Sequence, residues 1–216
     1  FVGEGADVTI VAGCGIHNCG SADSGHDGIH TFYVEKGAKV RYIEKHYGEG
    51  DPGTTGKRLM NPTTIVHLKE DAEMIMDDTL RITEADLCDR AKLEIHDSIM
   101  TTGDQNADAQ FTADLNGEDC ACNIVSRTVA RDHSKQHYTS TLNGNNRCAG
   151  HTECDSILMD QAYVLATPQL SAATTEASLI HEAAIGKIAG EQLIKLMTLG
   201  LTEEEAEEQI ISGFLK

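Results

Sequence analysis

The sequence predicts a mainly β protein with a short helical end, and three observations predict it. Most of the first 165 residues alternate apolar and polar side chains with a period of two, the mark of strands. A turn-plus-strand unit recurs: "KGAKVRY", "EDAEMIM", "DRAKLEI" and "DCACNIV" each set a small alanine after a polar pair and before an alternating run. After about residue 176 the period changes to that of a helix.

In "HTFYVEKGAKVRYIEKHY" the alternation runs on both sides of Gly37, with His30, Phe32 and Val34 on one face and Val40 and Tyr42 on another. The recurrent alanines, Ala38, Ala72, Ala91 and Ala121, are separated by 34, 19 and 30 residues, near one or two multiples of a short rung. Repeats of this size suggest coils stacked on one another, each burying its inward face against the next. An antiparallel sandwich consists of the same short strands and turns, so periodicity leaves both architectures open. The scarcity of Asn-Gly and Asp-Gly turns, with Asn143-Gly144 and Asp27-Gly28 among the exceptions, tilts toward the coil. Toward the C-terminus, "GEQLIKLMTLG" puts Leu193, Leu196 and Met197 on one helical face, with Gly200 placed to end the helix. A second helix follows in "LTEEEAEEQIISGF". Thr202 as N-cap and Glu205 three residues on form a capping box, and Glu203 and Glu204 suit the positive end of the helix dipole. Ala206, Ile210, Ile211 and Phe214 make an apolar stripe, which either folds back on the β core or is offered to a partner.

Composition narrows the function. With 216 residues and 40% apolar content the chain supports one core, or a core with a small appendage. Its 35 acidic against 17 basic residues, a formal charge of −18, argue against nucleic acid, which is bound through Lys and Arg. Such charge suits solubility or docking to a basic protein partner. No run approaches the roughly 18–20 apolar residues of a membrane span. Residues 1–20 lack the pattern of a signal peptide. Seven cysteines, an odd number irregularly spread, point to a reducing cytoplasm, where thiols are small buried apolar groups or soft metal ligands. The chain opens at Phe1 in mid-pattern, so further residues before it are expected.

Candidate chemistry lies in four places. "GCGIHNCGSADSGHDGIH" packs Cys14, His17, Cys19, His26 and His30 into 17 residues, a donor set suited to zinc or iron but without zinc-finger spacing. In "RCAGHTECD", Cys148 and Cys154 point one way along a straight strand and His151 the other, and in "DCAC", Cys120 and Cys122 share a face. Buried structural thiols and hydrogen-bonded histidines are the alternative for all of these. "GDPGTTGKRL" is not a phosphate loop, because the first glycine is misplaced and Arg58 stands where a hydroxyl residue is needed. Finally, His181 and Glu182 stand side by side just before the first helix, where the carboxylate would raise the imidazole pKa or share a cation with it.

The tail, "HEAAIGKIAGEQLIKLMTLGLTEEEAEEQIISGF", closely resembles the end of the SufB/SufD family of iron–sulfur cluster assembly proteins. "IVAGC", then "GHDGIHTFYVEKGAKVRY", and "GHTECDSILM" are similar to further stretches of that family, so the resemblance spans nearly the whole chain. It implies a right-handed parallel β-helix core over residues 1–175 and a C-terminal helical segment over 176–216 that docks a SufC-type ABC ATPase. It also implies a homodimer formed through the β-helix, and iron or an iron–sulfur cluster held near that interface. Carried over, the metal ligands are His181, Glu182 and Cys14, and the partner-binding residues are Leu193, Leu196, Met197, Ile210 and Phe214. The sequence departs from the family where SufB carries its principal scaffold cysteine. Here "MDQAYVLATPQL" puts Ala162 and Tyr163 in that place. The expected function is a cluster-assembly scaffold component without turnover of its own, in which ATP-driven closure of the partner shifts the β-helix interface. The alternative is a metal-free β-helix protein that regulates the ATPase. A polysaccharide-acting β-helix enzyme is disfavoured, since aromatics for sugar stacking make up only 4% of the chain.

Overall fold

Side chains that alternate in and out along a strand need a second sheet to cover the inward set, and here coiling the chain supplies it. The computed structural model describes residues 1–78 and 81–215. Its strands, in order, are β1 (Asp7–Asn18), β2 (Ser24–His26), β3 (Ile29–Val34), β4 (Lys39–Gly50), β5 (Arg58–Met60), β6 (Thr63–Leu68), β7 (Glu73–Asp78) and β8 (Ile82–Leu87). They continue with β9 (Lys92–Thr101), β10 (Asn106–Leu115), β11 (Cys120–Ala130), β12 (Lys135–Gly144), β13 (Cys148–Leu158), β14 (Tyr163–Ala172) and β15 (Ala177–Gly186). Two helices end the chain, α1 (Gly190–Thr198) and α2 (Glu203–Phe214).

Two parallel sheets face each other. One runs β1-β4-β7-β9-β11-β13-β15 and the other β3-β6-β8-β10-β12-β14, with β2 and β5 forming a small third pair. The result is a parallel β-helix of about six turns, and the sandwich is excluded. The coil continues ten residues past the change at 176, to Gly186: β15 pairs with β13 along its whole length, from Cys148↔Ala177 to Ile157↔Gly186. What reads as a pre-helical segment is the edge strand of the coil.

The recurrent "polar pair, then small residue" is the corner of each coil. Gly37, Asp71, Arg90 and Asp119 have φ of 64°, 60°, 55° and 59°, and each is followed by a small buried residue. Those residues are Ala38, Ala72, Ala91 and Cys120, each at most 1% exposed. In the last unit it is therefore Cys120, not Ala121, that stacks beneath Ala91; Ala121 pairs with the outward Lys92. The left-handed conformation costs an L-residue roughly 1–2 kcal/mol, and the corners offset this with side-chain bonds between coils. Arg90 binds Glu70 and, at 2.7 Å, Asp71; Arg147 binds Asp119 at 2.7 Å.

Inside, each position along a strand stacks in register on its neighbours. One column is Tyr42, Met76, Ile95, Ile124, Thr152 and His181. The opposite sheet contributes Phe111, Leu115 and Leu142, all buried. Outside, charges alternate between coils: Glu73 lies 3.1 Å from Lys39 and 3.4 Å from Lys92.

The helices end as the sequence predicts. Thr202 and Glu205 cap α2 reciprocally, and Gly200, at φ 99°, terminates α1. Their apolar faces divide unevenly. In α2, Ala206 and Ile211 are buried, Ile210 and Phe214 half-buried, and the Leu215 carbonyl accepts a hydrogen bond from Ser98 Oγ of β9 at 3.2 Å. The stripe thus folds back on the coil. In α1 nothing is fully buried; Leu193 and Leu196 are half-covered, while Met197 is exposed together with Ile194 and Leu199. No helix among the described residues is long and apolar enough to cross a membrane.

Candidate metal centres

Residues expected to act together are separated by the β-helix, and others replace them. His181 and Glu182 are consecutive on β15, so they point to opposite faces. His181 is in register with Thr152, which is wholly buried, and its Nδ1 is buried inside the coil without a hydrogen-bond partner among the described residues. Glu182 is in register with Glu153 and faces out. Within one chain the two cannot chelate one ion. Cys14 is farther still: β1 and β15 are the first and seventh strands of their sheet, about 29 Å apart at the usual strand spacing.

Glu182 instead joins His151 and Glu153 on the outer face of the last two rungs. One donor atom from each of the three lies within 4.8 Å of the others. The imidazole Nε2 of His151 is 3.6 Å from Glu182 Oε2, and its Nδ1 is fixed by Asn123 Oδ1 at 2.8 Å, leaving Nε2 to face the carboxylates. Partial burial, with the neighbouring Asp155 carboxyl, pushes the Glu153 carboxyl above its ordinary value. A cation placed here would relieve that repulsion. Glu153 carries no sequence signal beyond its alternation with His151.

Cys14 has its own partners. The inward face of β4 continues past Val40 and Tyr42 to Glu44 and His46, and Cys14 is in register with His46 on the adjacent strand. His26, on β2, closes the group: donor atoms of Cys14, His26 and His46 lie within 4.8 Å of one another. Of the five clustered residues of the early segment, His30 joins only indirectly, with Nδ1 at 3.3 Å from Glu44 Oε2. His17 faces Asp51 at 3.2 Å, and Cys19 is exposed. The signal that pointed to His46 was the β4 alternation, read two positions too short.

Of the remaining thiols, Cys88 is half-buried. Cys120, Cys122, Cys148 and Cys154 are buried and unbridged. Burial pushes Cys122 up to about 12, and Cys120 and Cys154 up to about 11, so all three stay protonated at neutral pH in the metal-free chain. Tyr163, where the family thiol was expected, opens the edge strand β14 and is 54% exposed.

Comparison with known proteins gives these observations a frame. The sequence model described as "SUF system FeS cluster assembly, SufBD core domain" matches residues 1–214. A protein of Methanothermobacter thermautotrophicus named iron–sulfur cluster assembly SufBD family protein is 29% identical over 98% of this chain and 53% of its own length. Proteins of the same name from Pyrococcus horikoshii and Methanocaldococcus jannaschii are 31% and 32% identical, over 89% and 84% of this chain and 60% of their own lengths. The chain thus spans little more than half the length of the curated relatives it matches.

Proposed function

The chain belongs to the SufBD family of iron–sulfur cluster assembly proteins, and from that premise we propose that it is a scaffold component without turnover of its own. In this reading it works in the cytoplasm, as a homodimer joined through the β-helix, with a SufC-type ABC ATPase. The observation that carries the reading is the convergence of His151, Glu153 and Glu182 at the last rung, beside the free edge of the coil. Iron is the cargo, held there by one imidazole and two carboxylates, hard and borderline donors that suit ferrous iron and exchange readily.

The edge itself supports a dimer. β14 and β15 each end a sheet, and Tyr163, Leu165, Leu170, Ile180 and Ile185 are exposed there. An uncovered strand edge with apolar side chains favours pairing with another chain. The exposed side of α1, with Ile194, Met197 and Leu199, is the surface on which the ATPase would act. It succeeds the expected Leu193–Leu196–Met197 face, of which only Met197 is exposed. Ile210 and Phe214 then serve to hold α2 on the coil, so that movement of the helices reaches β15 through the three-residue link after Gly186.

Anaerobic addition of ferrous iron and sulfide to the purified chain tests the reading. Wild type takes up iron, and the double substitution of His151 and Glu182 to alanine abolishes uptake at this site; unchanged iron content would defeat it. The absent thiol at Tyr163 favours a second reading, a metal-free regulator of the ATPase. That reading predicts ATPase co-purification and no iron in the wild type.

A further inference from the structure

We propose that the inner end of the first two coils is a binding site for a single divalent metal ion, Fe2+ or Zn2+, held by Cys14, His26, His46 and Glu44. The site goes beyond the scaffold reading and is independent of it, being separated from the last rung by most of the sheet.

Three chain segments build it. Cys14 of β1 and His46 of β4 are register partners on adjacent parallel strands and both face inward. His26 comes from β2, which the small pair with β5 holds against them through His26↔Met60. The His46 side chain is 3% exposed, and the His26 and His46 rings lie 5.7 Å apart. His26 Nε2 is buried and takes no hydrogen bond among the described residues, although imidazole nitrogens are strong donors or acceptors. Gly28 is what lets the ring lie there, because a Cβ at that position would meet His26 Nε2 and Cε1 at 2.9 Å.

The fourth donor is a carboxylate taken entirely out of water. The Glu44 side chain is 0% exposed; Oε1 lies 3.7 Å from Cys14 Sγ and 3.4 Å from His46 Nε2. Its other oxygen accepts from the Tyr42 hydroxyl at 2.6 Å and lies 3.3 Å from His30 Nδ1. Tyr42 and His30 are themselves 3.0 Å apart, so they orient the carboxylate from behind. A divalent cation bound beside this carboxylate draws the proton from the neighbouring thiol as it binds.

One sulfur, two nitrogens and one oxygen form a tetrahedral set for a borderline ion. Bonds of about 2.0–2.3 Å place neighbouring donors roughly 3.4–3.8 Å apart. The Cys14, His26 and His46 donors, within 4.8 Å of one another, therefore close by about an ångström of side-chain movement, with Glu44 reaching the ion from beside Cys14 and His46. Once bound, the ion ties β2 to β1 and β4.

Cobalt(II) is the probe, since its spectrum reports both thiolate ligation and coordination number. In the chelator-treated full chain, titrated anaerobically, the thiolate-bound cobalt is expected to saturate at one per chain. It should show a thiolate-to-cobalt charge-transfer band in the near ultraviolet and the intense visible bands of four-coordination. Cys14→Ser removes the charge-transfer band, and His26→Gln weakens binding by about tenfold or more. Glu182→Gln leaves the thiolate band unchanged, which separates this site from the last rung. Fe2+ or Zn2+ then displaces the cobalt, and whichever does so at the lower concentration is the preferred ion. Circular dichroism checks that each variant is folded; His26→Gln, on a short peripheral strand, keeps the test valid if Cys14→Ser is not. The proposal is overturned if wild type shows no thiolate band, if the band survives Cys14→Ser and is lost with Cys19→Ser, or if neither ion displaces cobalt.

Discussion

Replacing His181 by leucine should stabilise the protein and leave iron uptake at the last rung intact. The imidazole ends an inward column whose preceding members are Ile95, Ile124 and Thr152, and its Nδ1 is buried without a partner among the described residues. A buried polar group left unsatisfied costs about 1–3 kcal/mol. Thr152 makes no demand on it, because its hydroxyl is paired with Tyr138 Oη at 2.8 Å. Leucine has a similar volume, so it removes the penalty without opening a cavity, and swaps of that kind cost less than about 1.5 kcal/mol even when imperfect. A net gain of about 1 kcal/mol follows, and in a chain of this length that raises Tm by roughly 2–4 °C. Thermal melts followed by circular dichroism at equal protein concentration measure it, alongside iron content after anaerobic loading. A lower Tm, or iron loss in His181→Leu as deep as in Glu182→Ala, would refute the assignment of His181 to the interior.

Three further outcomes are expected. Tyr138→Phe leaves the buried Thr152 hydroxyl without its partner and destabilises by about 1–3 kcal/mol, read as a fall in Tm. On acidification, stability should stay level above about pH 5 and fall below about pH 4. The sign follows from the outer ladders: hydrogen bonds from Lys39 to Glu73, from Arg90 to Asp71 and from Arg147 to Asp119 hold these carboxyls below their usual range. Groups of that kind stabilise the fold above their unfolded pKa and stop doing so as pH falls through the lowered one. Iodoacetamide at pH 8 should modify the exposed Cys19 well before Cys120, Cys122 or Cys154, whose thiols burial keeps protonated; mass spectrometry of the partly labelled chain reads the order.

Much of the architecture was legible because each coil repeats the same local problem. A polar corner residue in the left-handed region followed by a small buried one is a short motif, visible as Gly37-Ala38, Asp71-Ala72 and Arg90-Ala91. It slipped by one residue at Asp119-Cys120 because cysteine fills the small-residue position there, while the alanine next to it faces out. The last strand was hidden for a different reason. An edge strand buries only one side, and β15 carries Ala183, Ala184 and Ile185 in a run with no clean alternation. Together with the nearby true helix, that run reads as helical. The reading of His181 and Glu182 as a pair came from their adjacency and from the family resemblance, whereas on a strand adjacent side chains point to opposite faces.

The sites were less legible, because in a stacked coil neighbours in space are about one turn apart in sequence. Ser126 meets Asp97 and Thr128 meets Ser156 across 29 and 28 residues, and Cys14 meets His46 across 32. A search for donors within one short window therefore gathers Cys19 and His17, which face away, and passes over His46. The uneven coil lengths carry more information than their regularity does. The 19-residue step from Glu73 to Lys92 leaves β7 and β8 at six residues each. The longer first steps, Asp7 to Lys39 and Lys39 to Glu73, carry β2 and β5 as additions to the regular coil. Without that excess there would be no β2, and His26 would not reach Cys14 and His46. The added strand supplies His26, which closes the group that the regular strands begin with Cys14 and His46, so in a fold of this kind a lengthened coil is where site-building side chains should be sought.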